Sequence, residues 1–403
     1  MTGILEGVKV VEMGHVVAVP AASATLADWG AEVIKLEPLT GEMARGIRVP
    51  VKDEEAARRP QANWYFHLLN RNKKGVAVDL KTAAGREIAH RIIEGADVFM
   101  SNYELGTVNR LGMDYETLSR LNPRLIWVIL TGYGTVGPDK DERGFDYAAA
   151  WARSGAMYMM GEPGSIPPPQ RGGLMDRVTG AHIVGGVCAA LLHREKTGLG
   201  QKLEFSLYHT GVWTLAEDIQ PALLGRQLPK HDRTQARNPL WNNYRTRDGK
   251  WFWLAMLQPD LSWHDFCQAI DRSELENDSR FRTREKRFRN RRVLIQIIDE
   301  VMATKTRRRW EKIFRKHNII YGRVASPREV VRDEQALAND FFPDLRHPDH
   351  EMRVVATPVK FCQNPASVRA PGPELGQHTE EVILGLGYGW EDIARLKEAG
   401  VIL

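Results

Sequence analysis

Over the first 200 residues, short and almost continuously apolar runs alternate with stretches whose apolar residues fall on one helical face. The runs at 7–13, 31–37, 75–80, 96–100 and 125–130 read as strands buried on both faces. Between them, residues 21–29 read as a helix, opened by Pro20, where a missing N–H does no harm, and closed by Gly30. Residues 82–95 form a second helix, with Ile88, Ile92 and Ile93 on one face, and 115–121 a third. Strands alternating with helices at this spacing predict an α/β fold, with a parallel sheet covered by helices on both faces.

Beyond residue 170 the pattern changes. Gly172 and Gly173 form a turn, Asp176 follows, and the next helix carries Gly180, Ala181, Gly185, Gly186, Ala189 and Ala190. A glycine inside a helix costs about 1 kcal/mol relative to alanine, so this cluster predicts close approach of another backbone or a ligand. The helix stops at 197–200 and a strand begins at Gln201. At the loop-to-helix junction Asp176 is either a cap for the free N–H groups of the first turn or a chemical group. The local pattern leaves both readings open.

From about Gln220, Pro221, Pro229 and Asn238-Pro239 predict a linker, with a second one beyond Ser326. Residues 242–256 read as a hairpin with Asp248-Gly249 as its turn, followed by helices at 263–270 and 293–304. Two basic runs, 282–292 and 307–312, have the composition of a nucleic-acid surface or of a solvated helical face. Interspersed glutamates and a net charge of only +5 favour the solvated face.

Composition narrows the class. A chain of 403 residues that is 43% hydrophobic can bury the cores of two domains. No apolar run reaches the ~18 residues of a membrane span, and the N-terminal residues lack a secretory pattern. Cys188, Cys267 and Cys362 are far apart, with no CxxC pair. That predicts a reducing, cytoplasmic setting with neither a disulfide framework nor a metal site. The mildly basic balance suits an anionic ligand. A nicotinamide dehydrogenase is set aside, because its G-x-G-x-x-G turn is replaced after the first strand by Gly14-His-Val-Val-Ala-Val-Pro20.

A series of blocks then carries a resemblance in order along nearly the whole chain. They are Leu26-Ala-Asp-Trp-Gly-Ala-Glu-Val-Ile-Lys-Leu-Glu37, Leu69-Asn-Arg-Asn-Lys-Lys-Gly75, Val78-Asp-Leu-Lys81, Ala96-Asp-Val-Phe-Met-Ser-Asn-Tyr103, Leu121-Asn-Pro-Arg-Leu-Ile126 and Thr131-Gly-Tyr-Gly134. The Asp176 block with Arg194-Glu-Lys-Thr-Gly-Leu-Gly-Gln201, then Asp248-Gly-Lys-Trp251 and Leu375-Gly-Gln-His-Thr379, completes the series. In these residues the chain resembles the family III coenzyme A transferases of the formyl-CoA and carnitine-CoA transferase type.

The resemblance implies a Rossmann-like large domain made of residues 1–220 and a return segment, 331–403, with a smaller α+β domain at 221–330. It also implies an interlocked homodimer, with acyl-CoA and a carboxylic acid as substrates and no permanently bound cofactor. Asp176 matches the nucleophile, which passes through an anhydride and then an aspartyl-CoA thioester, and Asp146 matches an acidic position nearby. Backbone N–H groups around Gly172, Gly173 and the helix start are the expected oxyanion donors. Lys81, Arg110 and Arg143 match cations on the nucleotide, with Val17, Ala18, Val78, Asp79, Leu80, Asn102 and Tyr103 around them.

Departures from the pattern bear on the substrate. Val17 replaces a glutamine of formyl-CoA transferase, Pro38 replaces an arginine, and residues 236–242 stand where that enzyme has a glycine-rich lid. These changes argue against formate and oxalate. Trp213, Trp241 and Tyr244 become candidates to line a pocket for a branched or aromatic acyl group. The related α-methylacyl-CoA racemases need a histidine as second acid/base, where this chain reads Gly144-Phe145-Asp146; phenylalanine cannot carry the proton. A non-catalytic acyl-CoA-binding protein is the remaining alternative, and the retained Asp176 argues against it.

Overall fold

The apolar runs become the strands of one six-stranded parallel sheet: β1 (Lys9–Met13), β2 (Glu32–Glu37), β3 (Lys73–Ala77), β4 (Val98–Ser101), β5 (Ile126–Thr131) and β6 (Lys202–Ser206). The structure, a computed structural model, describes residues 3–47, 63–347 and 350–403. The strand order is β3-β2-β1-β4-β5-β6, the doubly wound order whose direction reverses between β1 and β4. Chain connections leave β1 and β4 in opposite directions there, opening a crevice at the carboxyl edge.

Alternation along each strand divides the core in two. Val10, Val33, Met100 and Val128 face one layer, formed by α1 (Ala18–Asp28) and by a long helix at 174–197. Val11, Leu36, Phe99, Trp127 and Ile129 face the other, where α2 (Ala83–Glu94) and α3 (Tyr115–Leu121) pack. The long helix is α4 (Leu174–Thr197). The chain's end returns to this unit. Val78 forms an antiparallel bridge with Ile402, and the Asp79 N–H donates to the Val401 carbonyl at 2.8 Å. β3 ends at Ala77, although the apolar run extends to Leu80: the Val78 N–H still donates to the Glu37 carbonyl at 2.9 Å, but from there the chain pairs with the C-terminal segment.

Two compact units result. The first comprises Met1–Tyr158, Pro169–Arg226 and Gln335–Leu403; the second comprises Met159–Pro168 and Gln227–Glu334. Pro221 lies inside a helix, α5 (Ala216–Leu223), where a linker was expected. It sits near the helix end, and its carbonyl accepts from the N–H groups of Leu224 and Arg226 at 3.0 and 2.9 Å, closing the helix. The second unit has an antiparallel sheet of β7 (Trp241–Arg245), β8 (Trp251–Ala255) and β9 (Tyr321–Arg323) over a core that includes Phe252, Phe266, Trp310 and Phe314. Its basic runs find partners within the unit. Arg287 is buried against Trp263 and pairs with Asp260, Arg289 pairs with Glu285, and Arg307 pairs with Glu329.

A charged network lies beneath the crevice. Glu12, fully buried on β1, accepts from Lys35 Nζ at 2.7 Å and from Lys73 Nζ and Ser23 Oγ at 2.6 Å each. Burial alone would raise the Glu12 carboxyl, but the two ammonium groups bring it down to about 2. A depressed carboxyl stabilises the fold at pH values above its ordinary 4.5, and that contribution is lost as pH falls through about 2. Truncating Glu12 leaves two buried cations short of their counter-ion. Glu12→Ala should therefore lose about 3–5 kcal/mol at neutral pH, read from the urea midpoint; a loss below 1 kcal/mol would show that water reaches the lysines.

Candidate active site

Four chain segments meet at the carboxyl ends of β1, β4 and β5. The turn 14–17 after β1, Asn102 and Tyr103 after β4, the segment 130–132 at the end of β5 and the loop 140–146 enclose a cavity of about 300 Å³. Asp176 reaches the same cavity from α4. Of the residues matched by resemblance, Val17, Ala18, Asn102, Tyr103, Arg143, Asp146 and Asp176 line it.

Asp176 is the third residue of α4, and the N-cap is Gly173, with φ of +76° and no side-chain cap. The capping alternative for Asp176 thus fails, leaving its carboxylate available to the cavity. Two glycines let this helix start where it does. A side chain at Gly173 would meet Val17 Cγ1 at 3.2 Å and strain the left-handed backbone. A Cβ on Gly180 would meet the Ala18 carbonyl oxygen at 3.1 Å. Gly180 is thus where α1 rests on α4, whereas Gly186 faces Phe205 of β6, and the close approach at Gly173 and Gly180 brings Asp176 beside the start of α1.

Asp176 and Asp146 form an electrostatic pair. Burial and then the charge of Asp146 push Asp176 up to about 7, against the opposing pull of Arg177. Asp146 opens the π-helical turn Asp146–Ala152 and is buried. Gln170 Nε2 donates to its Oδ1 at 2.6 Å, while Oδ2 makes no hydrogen bond. Burial raises Asp146; Gln170 and the nearby amides of Asp176, Met175 and Gly173 pull it back. These amides are the positive end of α4. They were expected to serve as an oxyanion hole, and in the free protein they stabilise Asp146.

Sequence reasoning missed two residues here. Gln170, in a proline-rich loop, shows its role only through its contact with Asp146. Tyr65 is half-buried; burial raises its phenol, and the charge of Asp176 raises it further. Nothing in the local pattern around Tyr65 signals a neighbour more than a hundred residues away.

Val78, Asp79, Leu80, Lys81 and Arg110 lie outside the cavity lining. Val78 is fully buried in the core, so its side chain is out of reach of a ligand. Asp79 and Leu80 are half-buried, and Lys81 is exposed after β3, with its N–H donating to Asp79 Oδ1 at 3.0 Å. Arg110 is exposed at the end of the helix Leu105–Arg110 and donates to Thr107 Oγ1 at 3.1 Å. Arg143 is exposed and paired with Glu104 at 2.9 Å. Tyr244 is corrected as a pocket candidate: it is fully buried in the second unit, and its hydroxyl donates to the Pro239 carbonyl at 2.7 Å. Trp213 and Trp241 are exposed, edge-on to His182 and Trp253 respectively.

Among the described residues there is no cluster of three or more His, Cys, Asp or Glu side chains arranged to hold a metal ion. Nor is any helix there long and apolar enough to cross a membrane.

The model of CoA-transferase family III matches residues 5–379. The chain is 34% identical to (R)-2-hydroxy-4-methylpentanoate CoA-transferase of Clostridioides difficile, over 99% of both chains. It is 33% identical to cinnamoyl-CoA:phenyllactate CoA-transferase of Clostridium sporogenes, covering 98% of this chain and 97% of that one. Among solved structures, a CAIB/BAIF family protein from Brucella suis superposes with a TM-score of 0.84 at 28% identity, covering 96% of this chain and 100% of that one.

The electrostatics of the pair can be tested without any substrate. A carboxyl raised in the fold destabilises it increasingly as pH rises from the ordinary value of 3.8 to about 7. Asp176→Asn removes that penalty. The gain in melting temperature over wild type should be larger at pH 8 than at pH 5; an equal gain at both would place the Asp176 titration at its ordinary value.

Proposed function

The chain belongs to CoA-transferase family III, and we propose that it moves coenzyme A between carboxylic acids by covalent chemistry on Asp176. It is a CoA-transferase. The observation that supports the covalent reading is the Asp176–Asp146 pair at the sheet's switch point, where burial and a neighbouring charge make Asp176 more basic than an ordinary carboxylate. Higher basicity favours attack on a thioester carbonyl.

In this reading the Asp176 carboxylate attacks the acyl carbonyl of the acyl-CoA, and the C–S bond breaks to release CoA thiolate and leave a mixed anhydride. The thiolate attacks the aspartyl carbonyl, giving an aspartyl-CoA thioester and freeing the first acid. The second acid's carboxylate attacks that thioester, expelling the thiolate and forming a new anhydride. Attack of the thiolate on the incoming acyl carbonyl then yields the new acyl-CoA and restores Asp176. Charge is conserved at each step, so no net proton is required. Water must be excluded, because it would hydrolyse either intermediate.

Asp146 acts electrostatically in this scheme. Its negative charge disfavours a second charge on Asp176, so it promotes the step that converts Asp176 into a neutral anhydride. Lys81, Arg110 and Arg143, exposed near the carboxyl edge, are proposed to bind the phosphates of CoA. Loss of one such charged bond, about 1.5–3 kcal/mol, should raise the KM for acyl-CoA in Lys81→Ala or Arg110→Ala. Discrimination against dephospho-CoA should shrink with it, and unchanged discrimination would remove the assignment.

The homodimer and the cytoplasmic location are part of the same proposal. A second, largely apolar cavity of about 900 Å³ lies along the bare face of α4, lined among others by Trp29, Val184, Gly185 and Phe361, and supports a partner subunit. Sedimentation over a wide dilution range should show a dimer. An active monomer would count against it.

The acyl substrate is proposed to be a branched or aromatic 2-hydroxy acid. Val17, Leu130, Phe145 and Leu207 give the cavity apolar walls, and the names of the two relatives above include 2-hydroxy-4-methylpentanoate and phenyllactate. In a panel with oxalate, succinate and both of these acids as acceptors, kcat/KM should be highest for one of the 2-hydroxy acids. Preference for oxalate would sink this choice.

Trapping tests the nucleophile. Hydroxylamine added during turnover should convert Asp176 to a hydroxamate, and borohydride should reduce its thioester form to an alcohol, both visible by peptide mass. Asp176→Ala and Asp176→Asn should abolish transfer. Asp146→Asn should slow turnover while still forming the adduct, and it should move the acid limb of kcat/KM to lower pH, since removing the neighbouring charge lowers Asp176. Full activity of Asp176→Ala, or an adduct on Asp146 alone, would overturn the assignment.

A further inference from the structure

We propose that Glu42 is a positioning residue that holds the turn 14–17 in the shape the active-site cavity requires. The evidence begins with Val16, whose φ is +62°. A β-branched residue in the left-handed region is a rare outlier, and it persists only where its surroundings over-determine it.

The surroundings here do so at successive backbone groups. Lys35 Nζ donates to the Gly14 carbonyl at 3.0 Å. The Asn102 side chain closes a ring on His15, accepting from its N–H and donating to its carbonyl, each at 2.9 Å. The Val16 N–H donates to Glu42 Oε2 at 3.2 Å. That carboxylate is itself fixed. It also accepts from the Ala44 N–H at 2.8 Å, its side chain is fully buried, and Lys35 Nζ lies 3.4 Å from Oε1. The Glu42 N–H donates to Glu37, which Arg45 grips with two bonds of 2.7 and 2.6 Å.

The strained turn has two neighbours that matter. Val16 and Val17 form part of the cavity wall, and Val17 packs directly against Gly173, the cap of the helix that carries Asp176. Lys35 and Asn102 hold Gly14 and His15, but without the carboxylate the Val16 N–H loses its acceptor and Val16 is free to relax towards negative φ. The peptide would rotate, and Val17 would shift against both the cavity and the helix start. Glu42 touches neither substrate nor nucleophile in this account; it acts through Val16.

A double-mutant cycle separates this role from mere support of the fold. The account rests on acyl-CoA lying against the turn, so two readouts are needed. Glu42→Ala should raise the KM for acyl-CoA at least tenfold with a smaller change in kcat. It should also speed hydrogen–deuterium exchange in the peptide containing residues 14–17 of the free protein. In a Val16→Gly background, where glycine takes positive φ without steric penalty, the effect of Glu42→Ala on KM should shrink several-fold. Glu42→Gln, which keeps an oxygen for the Val16 amide, should stay close to wild type in both readouts. An equal KM effect in both backgrounds, or Glu42→Gln as damaging as Glu42→Ala, would overturn the proposal. Faster exchange with unchanged KM would keep Glu42 as the support of the turn and instead overturn the placement of acyl-CoA against it. Should Glu42→Ala fail to fold, Glu42→Asp, which keeps the charge but draws the acceptor oxygens back from the Val16 N–H, takes its place in the same cycle with the same expected and overturning outcomes.

Discussion

The Glu12 carboxylate, buried between Lys35 and Lys73, is the constraint on which the crevice depends. It lies on β1, one of the two strands between which the sheet order reverses, and its two lysines come from β2 and β3. One anion therefore ties three adjacent strands. Lys35 extends the tie to the Gly14 carbonyl and towards Glu42, and Lys73 extends it to the Pro20 and Leu69 carbonyls. Neither lysine could be buried without the carboxylate, since an uncompensated ammonium is expensive to remove from water. The turn after β1 and the start of α1 are consequently set by charge satisfaction as well as by apolar packing.

On this edge, helix packing determines where Asp176 and Asp146 stand. Gly180 lets α1 and α4 touch at the backbone, and Gly173 lets α4 begin against Val17. Those contacts carry Asp176 to the cavity and put the positive end of α4 next to Asp146. The two acids then have different environments. Asp146 has Gln170 and nearby helix amides to support its charge, whereas Asp176 has burial and a like charge to oppose it. Burial raises both carboxyls, but only Asp146 has hydrogen-bond donors that pull it back, and a like charge raises Asp176 further.

The alternation of strands and helices, the position of Asp176 at the start of a glycine-rich helix and the hairpin near Asp248 were all legible in the sequence. Each is a local signal: hydrophobic period reports which face is buried, and glycine or proline reports where backbone must bend or approach closely. The order of blocks also carried the family likeness. By contrast, the proximity of Asp146 to Asp176, the grip of Gln170, the nearness of Tyr65 and the left-handed Val16 held by Glu42 were decided only in the tertiary structure. So were the burial of Val78 by the returning C-terminus and of Tyr244 within the second unit. These residues lie far from their partners along the chain or take their role from packing, and period and composition carry no record of either. A carboxyl's proton affinity depends on which charges and amides stand within a few ångströms, and that distance exists only once the helices have docked.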